Sequence, residues 1–129
     1  RLTDAWGADC LAQKKKPAAK ADDVCKQCKP LRRERRLDCN RKYQRIAKRI
    51  DAGLADGSLI PDPDRPIGKW TPPTPYKKMR RDELTKGIWP DFFEYFFRCT
   101  ACGTRFIIYC DIYHGGGGAW RIAKKSDDV

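Results

Sequence analysis

Two C-x-x-C pairs, Cys25-Lys26-Gln27-Cys28 and Cys99-Thr100-Ala101-Cys102, stand about 70 residues apart in a chain of 129. Two thiolates three positions apart on a tight turn can bind one tetrahedral metal ion. Gly103 follows the second pair and lets that turn take a positive φ. Phe96-Phe97 precede it and Phe106-Ile107-Ile108 follow, so two apolar strands would leave the turn side by side. If both pairs serve one ion, the chain between them must leave the site and come back.

Seven cysteines and one histidine allow more than one partition. Cys25, Cys28, Cys99 and Cys102 make a single closed site. Alternatively, Cys99, Cys102, Cys110 and His114 make one site, and Cys10, Cys25, Cys28 and Cys39 a second. An odd number of cysteines fits a complete disulfide framework poorly, and paired C-x-x-C motifs favour zinc in a reducing compartment. A four-ligand site has no open position for water, so the zinc would be structural. The first partition is preferred. A strand of seven residues spans roughly 23 Å, which carries Cys110 away from the turn.

The rest of the chain reads as three segments. Residues 1–57 form a basic arm, with Trp6 and Cys10 as anchors and a run at Lys14-Lys15-Lys16, then an amphipathic helix over 31–55. Cys39, Tyr43, Ile46, Ile50 and Leu54 recur at helical steps on one face, and Pro30 suits the first turn. Residues 58–87 hold six prolines before position 76. This excludes a helix or a central strand there and implies a surface connector pinned by Ile60, Ile67 and Trp70, then a short helix over 80–86 closed by Gly87. Residues 88–129 read as a three-stranded antiparallel meander. Phe106, Ile108, Cys110 and Ile112 alternate with Arg105, Ile107, Tyr109 and Asp111. Gly115-Gly116-Gly117-Gly118 supplies the second turn, and the tail after 123 frays. The expected fold is therefore α+β: one long basic helix with a small zinc-ribbon-like meander.

Charge constrains function more than any motif does. Lys and Arg number 28 against 17 Asp and Glu, a formal net charge of +11. Such an excess favours an acidic partner. The expected partner is nucleic acid, RNA before DNA, within a larger assembly such as a ribosome, or else an acidic protein. Arg32, Arg33, Arg36, Arg41, Arg45, Lys48 and Arg49 crowd the polar faces of the expected helix, and arginine pairs bidentately with phosphate. Tyr95 or Tyr109, if exposed, could stack on bases. No apolar run approaches the roughly 20 residues that span a bilayer. The chain begins at Arg1 and shows no signal peptide, as a trimmed or excised piece would.

Phe97-Arg98-Cys99-Thr100-Ala101-Cys102-Gly103 with Phe106 resembles a zinc-ribbon knuckle. The stretch on through Tyr113-His114-Gly115-Gly116-Gly117-Gly118-Ala119-Trp120 also resembles small bacterial toxin-immunity proteins. The first resemblance implies a structural zinc. The second implies a protein-binding inhibitor.

No catalytic constellation stands out. H-E-x-x-H, G-x-S-x-G and Walker A motifs are missing, and His114 lies on the wrong side of both C-x-x-C pairs for a zinc deaminase. The expectation is a non-enzymatic, zinc-stabilised binding protein, with a small basic nuclease as the enzymatic alternative.

Overall fold

The computed structural model describes residues 25–69, 71, 73–112 and 116–128. Trp6, Cys10, the Lys14-Lys15-Lys16 run, Trp70 and His114 lie outside the described residues.

The elements in chain order are β1 (Arg35–Arg36), α1 (Asn40–Asp56), β2 (Leu59–Pro61), α2 (Tyr76–Lys86), β3 (Phe92–Cys99), β4 (Arg105–Asp111) and β5 (Gly117–Ile122). The strands form one antiparallel sheet in the order β1-β5-β4-β3-β2. The expected meander is present as β3, β4 and β5. It is not a separate zinc-ribbon unit: it forms the middle of a five-stranded sheet whose edges come from upstream segments. The segments 1–57, 58–87 and 88–129 each contribute at least one strand to that sheet.

Alternation decides the two faces of the sheet. Phe93, Tyr95, Phe97 and Cys99 of β3 join Phe106, Ile108 and Cys110 of β4 and Trp120 of β5 in one buried cluster with the helices. Tyr43, Ile46 and Ile50 of α1 complete it, together with Tyr76 and Met79 of α2. Phe106 stacks on Trp120 with centroids 5.0 Å apart, and Tyr76 meets Tyr95 and Phe97 edge-on at 5.6 and 5.1 Å. Each such fully buried side chain contributes about 1.5–3 kcal/mol through burial. The opposite face is covered by cations, with Arg65 and Arg105 lying over the Phe96 ring at 5.4 and 5.1 Å. Tyr95 is therefore core, 1% exposed, with its hydroxyl donating to the Thr74 carbonyl. It offers no stacking surface. Tyr109 lies half-buried beneath the Arg121 guanidinium.

The helix expected over 31–55 is shorter and starts at Asn40. Pro30 does open a helical turn, but it is the single 3-10 turn Lys29–Leu31. The chain then extends as β1, with Arg35 opposite Trp120 and Arg36 opposite Ala119. Leu37 and Gly118 exchange backbone bonds at 2.9 and 3.2 Å. Leu31 and Leu37 are both buried, and a spacing of six does not place them on one helical face. Pairing with β5 overrides the helical propensity of the arginines. Cys39 consequently falls at the N-cap of α1 and is exposed, not on the apolar stripe.

Gly118 belongs to β5, not to the turn alone. A Cβ there would lie 1.7 Å from the Tyr109 carbonyl oxygen, so only glycine permits this approach of β5 to β4. The Pro-rich connector supplies β2 at the sheet edge, where Pro61 is tolerated. Ile67 makes an isolated bridge to Tyr95. The second helix begins earlier than expected, at Tyr76, and ends at Gly87 as expected. The tail forms a 3-10 turn, Lys125–Asp128, where Asp127 takes both Arg121 terminal nitrogens at 2.8 Å.

Two polar networks tie these layers together. Arg80, 5% exposed, reaches from α2 to Asp51 and Gln44 of α1 and to Glu83, each at 2.8–2.9 Å. The Tyr43 hydroxyl donates to the same Glu83 at 2.8 Å. Below β2, Asp62 is fully buried and accepts from both Arg98 and Arg105.

Candidate metal centre

Cys25 and Cys28 flank the turn that leads into Lys29–Leu31, and Cys99 closes β3 before the turn that carries Cys102. The two turns face each other at one end of the sheet. Cys25 Sγ lies 3.9 Å from Cys99 Sγ, and Cys28 Sγ lies 3.7 Å from Cys102 Sγ. The four sulfurs all fall within 4.8 Å of one another. Four thiolates around zinc, with Zn–S about 2.3 Å, would stand about 3.8 Å apart on a regular tetrahedron. The donor set and its spacing therefore fit a zinc-type ion. No disulfide joins the described cysteines, and the sulfur separations are far beyond the roughly 2.05 Å of such a bond.

Backbone bonds set each turn. The Leu31 N–H donates to the Cys28 carbonyl at 2.8 Å, and the Gly103 N–H donates to that of Cys99 at 2.9 Å. Gly103 takes φ 80°, as the spacing predicts. The Cys99 N–H donates to the Thr104 carbonyl at 2.9 Å and closes the hairpin.

Two outer side chains bind the turns together. Gln27 Nε2 donates to the Ser58 carbonyl and to Thr100 Oγ1, both at 2.9 Å, and approaches Cys99 Sγ at 3.6 Å. Arg32 Nη1 donates to Thr104 Oγ1 at 3.1 Å and to Cys28 Sγ at 3.4 Å. Four thiolates around a divalent ion leave a net charge near −2, and these donors offset part of it. Arg32 was expected on the basic helix; instead it serves the cysteines. Its place four residues after Cys28 is the only sequence signal for that role.

Two of the thiols differ sharply in their surroundings. Burial pushes Cys28 up to about 12, against the pull of Arg32. The bond with Thr104 draws the exposed Cys102 down to about 6. Cys28 and Cys99 are the buried members of the set, while Cys102 is exposed.

The competing two-site partition does not form among the described residues. Cys110 is buried between Phe93 and Gly118, in the run of the sheet. Cys39 stands at the α1 N-cap. Neither joins the cluster.

The predicted cationic residues separate into distinct places. Arg33, Arg36, Arg41, Arg45, Lys48 and Arg49 are all exposed. None makes an ion pair within the described residues, whereas neighbouring Lys42 pairs with Asp38 at 2.9 Å. Among the described residues, no helix is long and apolar enough to cross a membrane.

Comparison with known proteins gives no relative: no family model matches the chain, and no curated protein or solved structure matches it.

Proposed function

We propose that this is a non-enzymatic, zinc-stabilised binding protein that contacts nucleic-acid phosphates, RNA before DNA, as one component of a larger assembly. The observation that carries the reading is the unneutralised surface built by Arg33, Arg36, Arg41, Arg45, Lys48 and Arg49. Six exposed cations on one β–α unit, none of them in an ion pair among the described residues, are held at a cost of mutual repulsion that an acidic partner relieves. The closed four-cysteine set supports a structural role for the metal, since all four tetrahedral positions would be taken by protein.

A protein partner is the second reading, and Leu84 and Ile88 favour it. They are 62% and 58% exposed at the end of α2, where an immunity-type inhibitor or complex subunit would make apolar contact. Salt separates the two readings. Binding of a labelled single-stranded RNA, followed by fluorescence anisotropy, should weaken by orders of magnitude as salt rises and tolerate changes of base sequence. No binding at low salt would dismiss the nucleic-acid reading.

A further inference from the structure

One seam in the basic surface differs from the rest. Arg35 lies directly opposite Trp120 in the β1–β5 pair, so both side chains project to the helix-bearing side of the sheet. Arg35 stands at that sheet's edge, half-buried. At ~100° per residue, Arg45 and Arg49 lie on one flank of α1. Gln44 and Asp51, which bind Arg80 of α2, lie on the other. The charges of Arg45 and Arg49 reach Arg35, as does that of Arg33, so this flank of α1 lies near the β1 edge.

The four guanidiniums crowd one another. Burial and the charges of Arg49, Arg33 and Arg45 lower the Arg35 pKa. Arg35 Nη2 donates to the Pro30 carbonyl at 3.1 Å, yet its Nε is buried with no hydrogen-bond partner. Arg98 Nε shares that condition, but the Arg98 guanidinium holds two carboxylates, Asp62 and Asp64. No carboxylate pairs with the Arg35 group among the described residues. A guanidinium with an unused donor, inside a like-charged cluster, is stabilised by an anion that reaches its exposed part.

We propose that Arg33, Arg35, Arg45 and Arg49 bind consecutive phosphates of a single nucleic-acid strand in the seam between β1 and α1. The inference rests on the nucleic-acid reading above and narrows it to one track. Arg45 and Arg49 are one helical turn apart, about 6 Å along the axis, so they present forks in series. Each fork matches two phosphate oxygens. A lone carboxylate would leave the cluster strongly positive, whereas a strand supplies charge repeatedly along the row of guanidiniums. Arg35, not among the phosphate contacts expected from the sequence, becomes the floor of the site.

The test uses the zinc-loaded full chain and a short fluorescein-labelled single-stranded RNA of mixed sequence, followed by anisotropy from low to moderate salt. Arg45→Ala/Arg49→Ala should bind at least about tenfold more weakly, and its log-log salt slope should fall by about 1.4, near 0.7 for each lost contact. Lys77→Ala/Arg81→Ala removes the same charge from α2 and should stay within about twofold of the unaltered chain. Both changes are at exposed positions, and zinc content checks that each variant is folded. Equal losses in the two double variants, with the unaltered chain binding, would overturn the seam and leave general basic attraction. No binding by the unaltered chain would overturn the underlying reading itself. A polyglutamate peptide that displaces the RNA at equal charge concentration would overturn the choice of phosphate.

Discussion

Trp120 Nε1 donates to the Leu31 carbonyl at 2.7 Å, across 89 positions of sequence. The indole is fully buried, stacked on Phe106. Its one polar atom therefore reaches out of the core and holds the turn that follows Cys28. The same turn is held from the other side, where Arg35 donates to the Pro30 carbonyl. The core, the first half of the cysteine site and the basic edge of the sheet thus meet within Lys29–Leu31.

Trp120→Phe tests that connection. Phenylalanine keeps an aromatic ring against Phe106 but removes the donor and some volume. Leaving the Leu31 carbonyl without its partner costs about 1–3 kcal/mol, with a further loss for the smaller ring. Urea unfolding should show a lower midpoint with little change in slope. Zinc affinity, measured by competition with a chromophoric chelator, should fall as well, because the Cys28 turn is less well held. An unchanged zinc affinity beside a lower midpoint would separate the core from the metal site.

Cysteine substitutions divide by position. Cys99→Ser should lose the metal and much of the stability, since metal binding to such a set is itself folding free energy. Cys39→Ser should keep one zinc per chain, because its side chain is exposed at the α1 N-cap. Cys110→Ser should also keep it, at the cost of a buried hydroxyl beside Phe93 and Gly118. Elemental analysis of the purified chains reads all three. Zinc lost from Cys110→Ser while the chain remains folded would return Cys110 to the ligand set.

Much of this was legible in the chain. The alternation through β4 assigns Phe106, Ile108 and Cys110 to one face, and they are in the core. The two C-x-x-C pairs are their own signal, and they do converge. What local pattern could not supply was anything decided by partners far away. Arg35-Arg36 has no strand propensity and becomes β1 because β5 lies beside it. That pairing removes nine residues from the start of the expected helix and takes Cys39 off its apolar face. Arg32 reads as one more cation until the return of β3 and β4 puts Thr104 and the cysteines beside it. Gly118 reads as turn until the Tyr109 carbonyl occupies the space of its missing Cβ.

Acid should weaken the fold through Asp62. Its carboxylate is fully buried, and burial by itself would raise its pKa. The Asp64 N–H, Arg105 and Arg98 outweigh burial and hold it below the ordinary carboxylate value. A folded pKa below the unfolded one, near 3.9 for aspartate, makes the sign definite. The stabilisation is fully present above about pH 4 and is lost as pH falls through the folded value. Asp127, held down chiefly by its bonds from Arg121, acts in the same direction. Asp62→Asn should cost about 1.5–3 kcal/mol at pH 7, the worth of hydrogen bonds to a charged group. It should also flatten the loss of stability between about pH 4 and pH 2. Denaturant midpoints collected across that range give both numbers. If Asp62→Asn lost stability with acid as steeply as the unaltered chain, the Arg98–Asp62–Arg105 arrangement would not be the group that titrates.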